Sequence, residues 1–263
     1  WASFSSCTTL VFGARAYSGP FWSYWWRNQA NCPESTLSHF LLSSNGTMMI
    51  AVLGTDGVGK STVINAIKLV LDDATHGALE IKHLRPGLLP PLARLKGKQA
   101  VQIGPVLDPH GSTPSGTLGS LFRLAYLMLD YVLGYWLVLR PKIAKSPMVI
   151  LFDRYCYDMA LDPRRFRISL PVGLVRGFIR LAPKPDIIIC LYGNPAVIAA
   201  RKKELPLEEV KRQTEALLAF AKQEPNAVLV STEGTIEQAR DDVLMALQNF
   251  CERRAKSCLQ RED

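Results

Sequence analysis

The sequence predicts an α/β fold: a three-layer sandwich in which about five parallel strands carry helices on both faces. Three observations predict it. Short apolar runs rich in β-branched residues recur along the chain, as buried parallel strands require. Amphipathic, helix-length segments lie between them, which is the βαβ pattern. A glycine-rich stretch, GTDGVGKST at positions 54 to 62, joins the first apolar run to the first amphipathic segment.

Residues 1–46 stand apart from this pattern. They hold four of the five tryptophans, many serines, and only Arg15, Arg27 and Glu34 as charges. They lack both a basic start followed by a clean apolar run and any sustained helical or strand period. The segment is read as an N-terminal extension outside the core, so removing it is expected to leave folding and activity intact. The domain proper is placed at 47–255, with 256–263 as a tail.

The first strand is Met48–Leu53. The helix after the glycine-rich stretch covers about 60–72, and Leu79–Leu84 forms a weaker strand. Residues 85–119 follow, dense in proline and glycine, and read as a long loop; loops of such length in compact domains are functional or disordered. A helix is expected over 118–145. Its stretch 118–139 is long enough to span a bilayer, but Arg123 and Asp130 interrupt it. A mostly buried helix of the core is the better reading, so no membrane span is expected. Further strands are Met148–Phe152, Asp186–Leu191 and Ala227–Val230. Asn194-Pro195 starts a helix to about 203, with Asn as cap and Pro in the first turn. Helices are also expected over 207–223 and 235–255, the latter opened by Thr235 and Gln238 as a capping box.

The net charge is +8. That balance suits nucleic acid, an anionic membrane or small phosphorylated ligands, and equally a generally basic protein. The ordered region lacks the aromatic-plus-basic stacking pattern of single-strand binders, so no nucleic acid is expected. The six cysteines form no CxxC pair and no zinc spacing, which suits a reducing, cytoplasmic setting.

The chemistry is carried by the glycine-rich stretch. Gly54, Gly59, Lys60 and Ser61 fit GxxxxGK[ST] without mismatch, between a strand and a helix. This is the phosphate loop, or P-loop, of NTPases. Its members Gly54, Thr55, Asp56, Gly57, Val58, Gly59, Lys60, Ser61 and Thr62 are expected to cradle ATP through converging backbone N–H groups and a helix N-terminus. Lys60 supplies a point charge to the β and γ phosphates, and the Ser61 hydroxyl can ligate Mg²⁺. Asp153 follows a buried strand, where ligand-facing residues collect in open α/β sheets; it can hold the metal or accept the nucleophile's proton. Arg154 beside it can clamp a phosphate, although an Asp–Arg pair can also merely cap a turn. Arg201, Lys202 and Lys203 end a helix just before Leu205-Pro206. They are either cations favoured at a helix C-terminus or the charges of a short lid at about 199–208.

Together these stretches resemble the thymidylate kinase family of P-loop nucleoside monophosphate kinases, from about residue 48 to residue 250. GTDGVGKST resembles the family's phosphate loop, and LRPGLLP from Leu84 a shortened form of its arginine-bearing loop. LRPKIAKSPMVILFDRY resembles the passage ending in its Asp-Arg-Tyr motif. KPDIIICLYGNPAVIAARK resembles its fourth strand and lid helix. The resemblance implies ATP and Mg²⁺ at Lys60, Ser61 and the loop backbone, with Asp153 serving metal and nucleophile. It implies a small phosphorylated acceptor, thymidylate by default, facing Asp56 and held by Arg85 and Arg154. It leaves a homodimer open. Val58 stands where some members carry an arginine, so the lid, through Arg201 with Lys202 or Lys203, must supply that charge. Residues 231–234 would border the adenine.

Two departures lie on the acceptor side. The family's thymidylate-binding Asp-Arg pair is here Asp130-Tyr131, which makes Tyr131 the acceptor-side residue in place of an arginine. Asp162-Pro163-Arg164-Arg165-Phe166-Arg167 replaces the usual polar segment after Asp-Arg-Tyr. Its arginines either rebuild an anion site or form a solvated basic loop. A phosphorylated sugar or other metabolite, or a regulator that binds nucleotide without turnover, remains an alternative.

Overall fold

A computed structural model of the chain describes residues 47–90, 116–201 and 205–259. The expected extension 1–46, most of the 85–119 loop, Lys202 and Lys203 lie outside the described residues.

Five strands form one parallel sheet: β1 (Met48–Gly54), β2 (Leu79–His83), β3 (Val149–Asp153), β4 (Ile187–Tyr192) and β5 (Ala227–Ser231). Their order is β2-β3-β1-β4-β5. The chain runs outward from β1 to one edge, returns, and crosses to the other side. β1 is therefore central, with the switch in direction beside its carboxyl end, where ligands bind in open α/β sheets.

Strand alternation sends side chains to two separate cores. Met48, Ile50, Val52, Val149, Leu151, Ile187 and Ile189 face one side. There α1 (Lys60–Ala74) covers them with Val63, Ile64, Ile67 and Leu71, and α8 (Ile236–Leu259) with Val243 and Leu247. Met49, Ala51, Leu53, Ile150, Phe152, Ile188 and Cys190 face the other side. They meet Leu124, Met128 and Tyr131 of α2 (Thr117–Gly134) and Val175 of α5 (Val172–Ile179). Burial on both faces is why the inner strands read as continuous apolar runs. Between α2 and β3 lie a π-helical turn (Tyr135–Leu139) and α3 (Arg140–Ile143). The remaining helices are α4 (Asp158–Leu161), α6 (Pro195–Arg201) and α7 (Leu207–Gln223).

Several expectations need correction. The helix over 118–145 is interrupted by the π turn, and it is not mostly buried. One third of its most apolar stretch is buried; Leu118, Phe122, Trp136 and Leu137 lie exposed. By length and composition it could cross a membrane, and it stands alone in this among the described residues. Its inward face carries Asp130, fully buried, which accepts hydrogen bonds from the N–H groups of Gly87 (3.3 Å) and Leu89 (2.7 Å). The tail placed at 256–263 is helical as far as Leu259. Helices α4 and α5 have no counterpart in the sequence reading. Both expected caps are present. Asn194 Oδ1 accepts from the Ala196 N–H (2.9 Å), and Thr235 and Gln238 bond reciprocally at 3.2 and 2.9 Å.

Candidate functional site

The site is assembled at the carboxyl ends of β1 and β3. Register places Val52 opposite Asp153, and Gly54 opposite Leu191 of β4. The chain then turns sharply through residues 55–59. Gly54 is needed for space: a Cβ there would stand 2.8 Å from Leu191 O and 2.9 Å from Val58 Cγ1. Gly59 is needed for conformation, since its φ of 101° lies in the left-handed region at the start of α1. Val58 is completely buried in the core on the α1 side, so this loop position works as an anchor. Ser61 and Thr62 open α1 with exposed side chains.

Lys60 folds back over the loop. Its Nζ donates to Gly54 O (2.8 Å) and Thr55 O (2.7 Å), and lies 3.7 Å from an oxygen of Asp56. Burial, assisted by the nearby charge of Arg154, pulls its pKa from 10.5 down to about 7, against the opposing pull of Asp56, Asp158 and Asp153. Burial thus outweighs the neighbouring carboxylates and leaves the charged form of Lys60 only weakly favoured near neutral pH.

Asp153 ends β3 beside His83, which ends β2 opposite it. His83 Nδ1 and Asp153 Oδ2 are 3.2 Å apart. Burial pushes the Asp153 carboxyl up, but His83, Lys60 and Arg154 outweigh it and hold it below the ordinary value. The other oxygen, Oδ1, is buried without a hydrogen-bond partner. Thr55 Oγ1 is in the same condition. Buried unpaired oxygens are costly and call for a partner. An oxygen-preferring divalent cation that keeps several waters suits a donor set of one carboxylate and the Ser61 hydroxyl. Among the described residues no group of three or more His, Cys, Asp or Glu forms a metal centre, so a cation here would complete its shell with water or the oxygens of a bound phosphate.

Arg154 adopts a left-handed backbone (φ 73°), and its N–H donates to Val52 O at 3.0 Å. That conformation turns the side chain across the loop rather than into the sheet. Its Nη1 donates to Asp158 Oδ2 (3.0 Å) and its Nη2 to Asp56 Oδ1. The second Asp56 oxygen accepts from Nη1 of Arg165. One basic residue of the Asp162–Arg167 segment therefore joins the site, while Arg164 and Arg167 are exposed. A crevice lined by Thr55, Asp56, Arg154, Asp158, Asp162 and Gln213 opens beside this cluster, with Leu161 and Leu217 as its apolar wall.

The other acceptor-side expectations fare differently. Tyr131 is completely buried; its ring packs edge-on to Tyr155 with centroids 4.9 Å apart, and its hydroxyl donates to Leu84 O. It supports the loop after β2 from below and presents no surface to a ligand, so its expected contact with the acceptor is corrected. Arg85 turns inward, with Nη1 3.1 Å from Asp130 Oδ2 as an ion pair lacking hydrogen-bond geometry. Arg201 ends α6 exposed, and the rest of the expected lid cations fall outside the described residues.

The sequence reading missed His83, Asp158 and Gln213. Asp158 lies only four residues after Arg154, but the pair forms across a turn and not along a helix, so no helical spacing announces it. His83 carries no local signal either, because its partner is 70 residues away.

No protein-family model matches the chain, and no curated protein does. Solved structures do match it. The thymidylate kinase from Ehrlichia chaffeensis aligns at a TM-score of 0.53 and 16% identity, over 77% of this chain and 99% of that one. At that identity the likeness shows the fold alone: a parallel α/β sandwich of the P-loop NTPase type.

Proposed function

We propose that this P-loop protein is an ATP-dependent phosphotransferase that passes the γ-phosphoryl group of ATP to the phosphate of a nucleoside monophosphate, thymidylate by default. The observation that carries the reading is the meeting, at one sheet end, of a complete phosphate loop with an ion-paired Asp56–Arg154 cluster. The first is equipment for a donor and the second for a charged acceptor.

In this reading the loop N–H groups and Lys60 hold the donor's phosphates. Lys60 gains its proton fully when the anion arrives. Mg²⁺, held by Ser61 and Asp153, would neutralise charge on the phosphate oxygens. Arg154 holds the acceptor phosphate in line, and a lid cation from 201–203 meets the transferring group. Phosphoryl transfer needs little covalent help, so positioning and charge neutralisation supply most of the rate. Cys156, Cys190 and Cys251, buried and unpaired, suit a cytoplasmic setting.

A second acceptor class has its own support. Tyr131 is sealed in the core where the family resemblance calls for a thymidylate-binding arginine, and Arg85 is turned to Asp130. A sugar phosphate or other phosphorylated metabolite therefore competes with the nucleotide. ADP release, measured over a panel of nucleoside monophosphates, sugar phosphates and their unphosphorylated parents, tests both. Release that requires a phosphorylated acceptor upholds the phosphotransferase, and the best acceptor assigns the class. ATP binding without turnover on any acceptor would replace it with a nucleotide-binding regulator.

A further inference from the structure

The turn at Asp162–Arg167 is built to deliver one side chain. The Arg165 N–H donates to Asp162 Oδ1 at 3.3 Å. Phe166 and Ile168 both return N–H bonds to Pro163 O, at 3.1 and 3.0 Å, and both side chains are buried in the core on the α2 side. Arg167 reverses the chain with a left-handed φ of 54°. With its neighbours anchored, Arg165 is half-buried and reaches Asp56 in the phosphate loop, 109 residues earlier in the chain.

Asp56 thus carries one guanidinium on each oxygen, Arg154 on Oδ1 and Arg165 on Oδ2. Two guanidinia that converge on the oxygens of one small anion can converge on another. A phosphate offers three oxygens and a second negative charge, and is the better partner for paired arginines. The two arms differ. Arg154 is also held by Asp158 and its side chain is 9% exposed, whereas the Arg165 side chain is 26% exposed. The first is a fixed wall and the second an arm with room to move.

We propose that Arg165 and Arg154 form a two-guanidinium clamp for a dianionic phosphomonoester on the acceptor, with Asp56 holding both arms in place until it arrives. Arg165 then supplies the acceptor-side cation that Tyr131 does not. The proposal rests on the phosphotransferase reading and adds to it a residue, Arg165, that holds the acceptor phosphate. The clamp demands a phosphomonoester and excludes a neutral hydroxyl compound.

The test uses the full chain saturated with Mg²⁺ and ADP, so that the phosphate loop is filled, and titrates it with inorganic phosphate by calorimetry. Affinity for a fluorescent ADP derivative is measured in parallel. The expected result is a phosphate site in the wild type that Arg165→Gln weakens by about tenfold or more, with ADP affinity unchanged. Arg165→Lys should fall between the two, and Arg164→Gln, at the exposed neighbour, should match the wild type. A wild type that binds no phosphate beside ADP overturns the clamp. So does an Arg165→Gln protein that binds ADP and phosphate as the wild type does. Should Arg165→Gln lose ADP binding through misfolding, Arg165→Lys decides, and unchanged phosphate affinity there overturns the clamp. Failure of the wild type to bind ADP at all would instead remove the phosphotransferase reading, and the clamp with it.

Discussion

At the residue scale the account turns on Lys60. Its side chain is buried and bonded to two loop carbonyls, and its pKa of about 7 lies well below the ordinary 10.5. Between those values the unfolded chain binds more protons than the folded one, so stability rises with pH across this window as far as Lys60 is concerned. Bound phosphate reverses the balance, because a polyanion favours the ammonium. Nucleotide binding near pH 8 should therefore take up a proton, and affinity should weaken as pH rises from 7 to 9. Calorimetry in buffers of different ionisation enthalpy reads this directly; equal heats in all buffers would contradict it. Lys60→Ala should abolish phosphoryl transfer in an ADP-release assay while leaving the fold intact by circular dichroism. The thiols of Cys190 and Cys251, which burial pushes up to about 12, act in the opposite sense above pH 9 and limit the window in which Lys60 can be read.

At the element scale the decisive contact is between α2 and the loop after β2. Asp130 accepts two loop N–H bonds and faces Arg85, and Tyr131 bonds Leu84 O. Gly134 lets the loop lie close, since a Cβ there would stand 2.6 Å from Pro86 Cβ. Asp130→Ala would strand a largely buried arginine and two N–H groups, at a cost of about 3–5 kcal/mol. The melting temperature should then fall by roughly 6–20 °C, which a thermal scan reads; an unchanged scan would show that the ion pair does not hold the loop. Gly134→Ala should push the loop outward and raise the acceptor KM more than that of ATP. This contact also marks the limit of what the sequence revealed. The strands and the phosphate loop were legible because their signals are local: a run of buried residues, or nine consecutive positions between a strand and a helix. In the sequence Asp130 stands as half of a pair with a missing arginine. Its work is to bind a segment 41 residues earlier, and no periodicity reports such a partner. The apolar run around it predicts a mostly buried helix, but its outer side is exposed.

At the scale of the whole molecule, the strand order brings distant residues to one end of the sheet. Arg165 and Asp56, and likewise His83 and Asp153, meet because β1 and β3 are neighbours and β2 flanks β3. That is why the phosphate-loop sequence can be read locally while the pairings across the sheet cannot. The opposite end of the sheet has a tie of its own. Asp186 accepts from the Met49 N–H (2.7 Å) and from Arg254 Nη1 of α8 (3.1 Å). Asp186→Ala should lower stability by about 1–3 kcal/mol, measured by urea unfolding, with KM values unchanged because the tie lies at the far end from the loop. A large rise in either KM would show that the two ends are coupled.

The central claim is transfer from a donor on the phosphate loop to a phosphate held across from it. Time-resolved ³¹P NMR of the protein with ATP, Mg²⁺ and the best acceptor of the panel tests it most directly. The account predicts that ADP and a new diphosphate ester of the acceptor appear at equal rates, and that neither appears with Lys60→Ala. Release of inorganic phosphate with the acceptor signal unchanged would contradict it.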